Sequence, residues 1–357
     1  ITLGNALLAR LKLDIDEWGV ELWLNSPLKS LERNAEGPVR AALVDRDGKT
    51  VRVIARRGII LAAGGFERNA EMRKKYLKLD VPGEVSGSQP NNTGDAIRAG
   101  MEIGGKTDLM DAGWWAPTYR FEGDDRSSPM FMDRALPYSI IVNGRGERYM
   151  NEAASYHSNG GTMVKLAAKG EPTIPSWYVF DAKFRARYPI GPMLPLGPSG
   201  DRFVPARIRK VVRQSPTVAG LAQAIGVDPA KLEETIARFN RFAETGIDED
   251  FHRGESTYDK YYGDDAVQPN TCLGALDKGP YYAIPIYPGD IGTKGGLVTD
   301  GHGQVLDEND RPIAGLYAIG NTSASVMGRT YPGAGATIGP AMTFGWLAAR
   351  HIMGVNA

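Results

Sequence analysis

Residues 315–351 read GLYAIGNTSASVMGRTYPGAGATIGPAMTFGWLAARH. Residues 316–319, LYAI, form a short apolar run that predicts a buried strand, and Gly320 with Asn321 ends it. Residues 331–335, YPGAG, set glycines and a proline around one aromatic hydroxyl and leave main-chain N–H groups open to a ligand. Pro340 suits a first helical turn, and the apolar run to His351 predicts a buried helix. The N–H groups just ahead of it, in ATIG, favour electron-rich oxygen atoms at the strand ends. Glycines at this density also permit close helix–sheet packing without any ligand, so both readings stand at this point.

Working outward, residues 1–19 have apolar positions at helical spacing and run into an expected strand, residues 20–24. Residues 39–55 alternate on both sides of Asp47-Gly48, which predicts a hairpin. Residues 59–63, IILAA, are continuously apolar, as in a strand covered on both faces, and Gly64-Gly65 follows at the end where a cofactor phosphate or ring can approach. Thr93 or Asp95 in NNTGDAIRAG is a candidate helix cap, with Asp95 also a candidate cofactor contact. From Met110 the chain turns aromatic: Trp114, Trp115, Tyr119, Phe121, Phe131 and Met132 suit either a pocket for a flat apolar substrate or a domain core. Further strands are expected at residues 140–143 and 177–180. A helix is expected from Asp228-Pro229, with Leu232, Ile236, Phe239 and Phe242 as its buried stripe. Residues 248–272 read as a polar connection. The economical organisation is a discontinuous first lobe, residues 1–115 and 285–357, with residues 116–284 inserted as a second lobe.

The 357 residues, 42% of them apolar, suffice for a sizeable core. The 42 basic residues balance 42 acidic ones, which removes the general electrostatic argument for nucleic acid as a partner. Cys272 stands alone, so no internal disulfide or thiolate cluster is expected and a reducing, cytoplasmic setting fits best. His157, His252, His302 and His351 match no metal spacing, and no metal is expected. No apolar run reaches the length of a membrane span, and the first residues do not resemble a secretory signal. A dinucleotide-binding lobe should open with a strand running into GxGxxG. The glycine clusters at 292–296 and 333–339 lack that spacing, so either no dinucleotide is bound or the chain begins after the first βαβ unit.

GIILAAGGFERN at 58–69, SIIVNGRGERYMNEAASY at 139–156, GTKGG at 292–296 and YPGAG at 331–335 together resemble the flavoprotein family of 3-ketosteroid Δ1-dehydrogenases, within the fumarate reductase group. The resemblance spans nearly the whole chain. It implies an α/β fold: a Rossmann-like FAD-binding lobe, incomplete at its N-terminus, carrying an inserted α+β catalytic lobe. It implies FAD as cofactor, a 3-ketosteroid or similar flat hydrophobic ketone as substrate, and an external electron acceptor. It further implies an upstream segment or separate subunit bringing the fingerprint and an assisting tyrosine. The reaction implied is removal of hydrogens from C1 and C2. Tyr331 and the Gly335 N–H would hold the C3 oxygen, Tyr156 in NEAASY would take the C2 proton, and the hydride from C1 would pass to flavin N5. An ordinary phenol, with pKa about 10, needs about 4 kcal/mol of help to serve as a base at neutral pH, so alkaline activity is expected. Ala63, Gly64, Gly65, Asp95, Gly320, Asn321, Thr337 and Ile338 would face FAD. Fumarate reductase is a poorer match: its HxTxGG becomes DIGTKGG here, with Ile291 in place of the histidine. A Δ4-dehydrogenase or cyclic-ketone dehydrogenase is separated from the first reading only by product regiochemistry. A non-enzymatic assembly fragment leaves YPGAG and NEAASY unexplained. A cytoplasmic place, with peripheral membrane association as an option, completes the expectations.

Overall fold

Asp47 and Gly48 adopt φ values of +54° and +74°, as a two-residue hairpin turn requires. They join Val39–Arg46 to Lys49–Ile54, and Leu28–Arg33 adds a third antiparallel strand. The computed structural model describes residues 3–33, 37–79, 85–124, 126–191 and 193–355. The opening helix is Leu3–Glu17, and residues 1 and 2 of the expected helix lie outside the described residues. The strand expected at 20–24 does not form; pairing begins at Leu28, and Trp18, Val20, Leu22 and Leu24 are exposed. Alternation of apolar residues marks a strand only where a neighbour covers one face, and none of these side chains is covered.

The central sheet is antiparallel. In spatial order it runs Ser128–Pro129, Gly113–Tyr119, Tyr281–Thr293, Ser176–Phe180, Ser139–Val142, with Arg213–Ser215 also paired to the long strand Tyr281–Thr293. Its period of two sorts the side chains into separate cores. Ile141, Tyr178, Phe180, Ile284 and Ile286 share one cluster with Tyr119 and Phe184. Ile140, Val142, Val179 and Ala283 lie in another, under the helices Val218–Ile225 and Pro229–Thr245. The second of these helices behaves as its sequence expects. Asp228 Oδ1 accepts from the Ala230 N–H at 2.9 Å, proline sits in the first turn, and Leu232, Ile236, Phe239 and Phe242 are buried.

A smaller mixed sheet orders Gln304–Leu306, Pro312–Ala318 and Ile59–Leu61, the last two parallel with Leu316 opposite Ile59 and Ala318 opposite Leu61. The helix Asp95–Glu102 packs Ala96 and Ala99 into this lobe's core beside Leu297 and Leu316. Ile59–Leu61 is shorter than expected and lies at the sheet's edge, with Ile60, Ala62 and Ala63 exposed instead of covered on both faces. The final helix, Ile338–Ile352, likewise corrects the expectation of burial. Ala348 is buried, whereas Ile338, Met342 and Trp346 form an exposed stripe at i, i+4, i+8 spacing. The expected boundaries near 115 and 285 fall inside the paired strands Gly113–Tyr119 and Tyr281–Thr293, so the two regions share this antiparallel pair.

Candidate active site

Tyr156 is the first residue of the helix Tyr156–Ala167, capped by Ser155, whose Oγ accepts from the Ser158 N–H at 3.1 Å. What fixes this helix start is a buried ion cluster. Glu152 Oε2 receives Arg148 Nη2 at 2.7 Å and faces Arg253 Nη1 at 3.2 Å, while Asp248 Oδ2 takes Arg148 Nη2 at 2.8 Å. Glu152 Oε1 also accepts the Ile141 N–H at 3.1 Å, and the Glu152 carbonyl takes Asn159 Nδ2 at 2.9 Å. Burial alone would raise the Glu152 carboxyl, but Arg148 and Arg253 outweigh it and hold the group below the usual carboxylate range. Asp248 and Arg253 are fully buried, so residues 248–272 do more than connect. Arg134, also buried, donates to the Phe131 and Ala154 carbonyls and so ties the segment before Tyr156 to the aromatic stretch.

The Tyr156 and Tyr331 hydroxyls, 175 positions apart, hydrogen-bond to each other, with ring centroids 5.1 Å apart. Phe131 meets the Tyr156 ring edge-on at 4.9 Å, and Trp114 meets the Tyr331 ring edge-on at 6.1 Å. Burial raises the Tyr331 phenol above its ordinary value, so it keeps its proton and can donate. His157 lies 5.4 Å from the Tyr331 ring, and its Nδ1 is buried without a hydrogen-bond partner. Burial and then the nearby Lys294 charge lower its pKa to about 4, so the imidazole is neutral at neutral pH. Lys294 places its ammonium 4.0 Å from the centroid of Trp114 and donates to the carbonyls of Gly328 and Thr330.

Trp114 links this tyrosine pair to the glycine-rich segments, because its Nε1 donates to Asn321 Oδ1 at 3.2 Å. Asn321, Gly320 and Thr337 line a cavity of ≈ 300 Å³ together with Trp114, Ser325 and Phe344. Gly64 is brought to the same region: its carbonyl accepts from Thr322 Oγ1 at 2.9 Å. At φ +76° its backbone suits glycine, and an added Cβ would stand 2.8 Å from Asn92. Gly65 has a packing cause of its own, since a Cβ there would meet Thr293 Oγ1 at 2.1 Å. Ala63 and Ile338 are exposed, and Gly335, at φ +94°, has open space where a Cβ would be. Thr337 precedes the final helix with no side-chain cap bond, leaving that helix start to other partners. Asp95 is not the cap of its helix. Gly94 takes that place with φ +78°, and the Asp95 carboxylate bonds Thr93 Oγ1 outside the lining of the cavity.

Three contributors escaped the sequence reading. Lys294 carried a signal, a cation inside the glycine-rich GTKGG; Glu152 carried another, its place in NEAASY; His157 carried none. Cys272 is buried beside Ala135 and Ala153, the small apolar role its sequence suggests. Among the described residues no group of His, Cys, Asp and Glu is arranged for a metal ion, and no helix is long and apolar enough to cross a membrane.

The chain is 43% identical over 367 residues to a 3-oxosteroid 1-dehydrogenase of Mycobacterium tuberculosis, covering 99% of this chain and 63% of that protein. It is 39% identical over 355 residues to a 4-oxocyclohex-2-ene-1-carboxylate 5-dehydrogenase of Sinomonas cyclohexanicum, covering 98% and 59%. The crystal structure of a 3-ketosteroid Δ1-dehydrogenase from Sterolibacterium denitrificans, in complex with 1,4-androstadiene-3,17-dione, superposes with a TM-score of 0.93 at 47% identity, covering 99% of this chain and 63% of that one. The chain thus spans less than two thirds of the length of these relatives. A model described as an FAD binding domain matches residues 1–338, and by that match this chain belongs to the FAD binding domain family.

Proposed function

We propose that the chain is the greater part of an FAD-dependent 3-ketosteroid Δ1-dehydrogenase, and that the contact between the Tyr156 and Tyr331 hydroxyls is its chemical centre. A ketone oxygen bound beside Tyr331 receives its phenolic proton as a hydrogen bond, with the Gly335 N–H as second donor. Both bonds strengthen as the oxygen gains enolate charge, which acidifies the neighbouring C2–H. Tyr156 takes that proton. Tyr331 has a single phenolic proton, so with the ketone bound it donates to that oxygen and no longer to the Tyr156 hydroxyl it meets in this structure, and help for the base falls to the upstream tyrosine that the resemblance implies. Phe131 and Trp114 flank the pair and exclude water from one side of the substrate.

The residues present fit a bound FAD. Gly64 and Gly320 turn with positive φ, and Gly320, Asn321 and Thr337 line a cavity able to receive part of such a group. The uncapped start of the helix Ile338–Ile352 offers N–H groups to electron-rich oxygen atoms. Residues 63–65, Asp95, Gly320, Asn321, Thr337 and Ile338 would hold it, and when bound it supplies the acceptor for the hydride leaving C1. An external acceptor would take up the electrons. The edge strand Ile59–Leu61 and the exposed stripe Ile338, Met342, Trp346 would be covered by an upstream segment or separate subunit completing a Rossmann-like FAD lobe, with the region between the two boundaries as the inserted α+β lobe. A cytoplasmic enzyme, free or at a membrane surface, accords with one unpaired buried cysteine.

A second reading rests on the likeness to the Sinomonas dehydrogenase: a smaller cyclic ketone, desaturated by the same tyrosine pair. Turnover of the FAD-loaded full-length protein with a panel tests both. A 3-keto-4-ene steroid should react, while fumarate, which lacks an apolar body, should not. Product from 4-oxocyclohex-2-ene-1-carboxylate in preference to the steroid would transfer the assignment to the second reading. A Δ4 product from a saturated 3-ketosteroid would contradict the C1–C2 reading.

A further inference from the structure

Lys294 is 1% exposed, and among the described residues no carboxylate is paired with it. Its backbone is pinned at both ends, the N–H to the Ala112 carbonyl at 2.9 Å and the carbonyl by the Ser325 N–H at 3.0 Å. Its ammonium is satisfied by the Trp114 ring face, 4.0 Å to the centroid, by the Gly328 carbonyl at 3.1 Å and by the Thr330 carbonyl. A buried cation without a counter-ion is costly, and a neutral side chain of similar length would fill the space without that cost. The cost shows in the group itself: burial, then the Arg329 charge, lower its pKa to about 8.

All three contacts converge on one residue. Gly328 and Thr330 belong to the short stretch that delivers Tyr331, and Trp114 is the ring standing edge-on to Tyr331. Resting on the function proposed above, we propose that Lys294 is a positioning residue for Tyr331: its ammonium ties the Gly328 and Thr330 carbonyls to the Trp114 face and so holds the Tyr331 hydroxyl against that of Tyr156.

The clamp has a direction in pH. The protonated amine offers three N–H donors and a full charge to the ring; the neutral amine offers two weaker donors and none of the cation–π attraction. The clamp is therefore intact below about pH 8 and loosens above it. The charged and titratable groups around it are Arg329, itself paired to Asp111 at 2.7 Å, His157 on the helix Tyr156–Ala167, and the two tyrosines. His157 is already neutral across this range, so the loosening belongs to Lys294 or to a tyrosine, and substitution separates them.

The test uses the full-length FAD-loaded protein with Lys294→Met and Lys294→Arg. With a 3-keto-4-ene steroid, Lys294→Met should slow single-turnover flavin reduction by about 10- to 100-fold while steroid Kd changes less than about threefold. The wild-type rate, rising with pH as the Tyr156 phenol ionises, should rise less steeply above about pH 8 where the clamp loosens, Lys294→Met should lack that break, and Lys294→Arg should recover part of the rate. Equal losses in rate and binding, or an unchanged rate, would overturn the proposal. Backbone hydrogen exchange of residues 328–331, followed by mass spectrometry, needs no substrate: it should quicken in Lys294→Met but not along the helix Tyr156–Ala167. Unchanged exchange overturns the clamp even if the steroid assignment holds. Quickened exchange without any steroid turnover in the wild type would leave the clamp standing and sink the assignment instead.

Discussion

Glu152→Gln changes one atom's chemistry and no volume, and it should be among the most damaging substitutions in the chain. Glu152 and Asp248 are fully buried, and between them they balance Arg253, also fully buried, and the nearly covered side chain of Arg148, in a cluster of two anions and two cations. A neutral amide at 152 leaves one guanidinium charge uncompensated and points an NH₂ donor at a cluster that needs acceptors. Breaking a buried pair in this way costs about 3–5 kcal/mol. For a chain of this size that amounts to a fall in Tm of roughly 4–7 °C. The contrasting control is Asp250→Asn, which breaks the solvent-facing pair between Arg238 and Asp250 and should cost about 0.2–1 kcal/mol. Thermal and denaturant unfolding of the full-length protein, followed by circular dichroism at equal FAD saturation, reads both. A loss below about 1 kcal/mol for Glu152→Gln would refute the reasoning that this cluster anchors the segment leading into Tyr156.

Tyr331→Phe should slow flavin reduction by about 10²- to 10³-fold with little change in steroid Kd, because the bond proposed for it to the ketone oxygen would be worth most in the transition state; equal reduction rates would remove Tyr331 from the chemistry. Tyr156→Phe should keep FAD and steroid binding while abolishing exchange of the C2 hydrogen with solvent, followed by NMR of a C2-deuterated steroid, and retained exchange would deny Tyr156 the role of base. His157, held near pKa 4 in the folded protein against an ordinary 6.5, leaves the folded state binding fewer protons across that interval. The stability it contributes is complete above about pH 6.5 and is lost as pH falls toward 4, by about 2 kcal/mol after allowance for its partial exposure. Denaturant titrations at neutral and acid pH should show this slope in the wild type and a flatter one in His157→Gln; identical slopes would contradict the assigned environment.

Local chemistry made much of this legible. Asp47-Gly48 and Asp228-Pro229 specify their turn and helix start through backbone preferences that need no tertiary context, and both occur as expected. The tyrosine pair could not be read from spacing, because 175 residues separate Tyr156 from Tyr331; only the resemblance joined them, and the hydroxyl contact now supports it. The strand expected at residues 20–24 and the two-sided burial expected of residues 59–63 failed for one physical reason. Apolar content predicts burial only if a neighbour exists, and Val20, Leu22, Ile60 and Ala63 face solvent here. The Ile338, Met342, Trp346 stripe is the same case on a helix. Lys294 and the Glu152 cluster were hidden for a different reason: a charged residue in sequence is by default a solvated one, and only the fold reveals charges removed from water.

The most direct measurement is anaerobic mixing of the full-length FAD-loaded protein with equimolar 4-androstene-3,17-dione, following the flavin absorbance and identifying the steroid by NMR. The account predicts bleaching of the oxidised flavin in step with formation of a C1–C2 double bond. A flavin that stays oxidised, or a product unsaturated anywhere else, would contradict it.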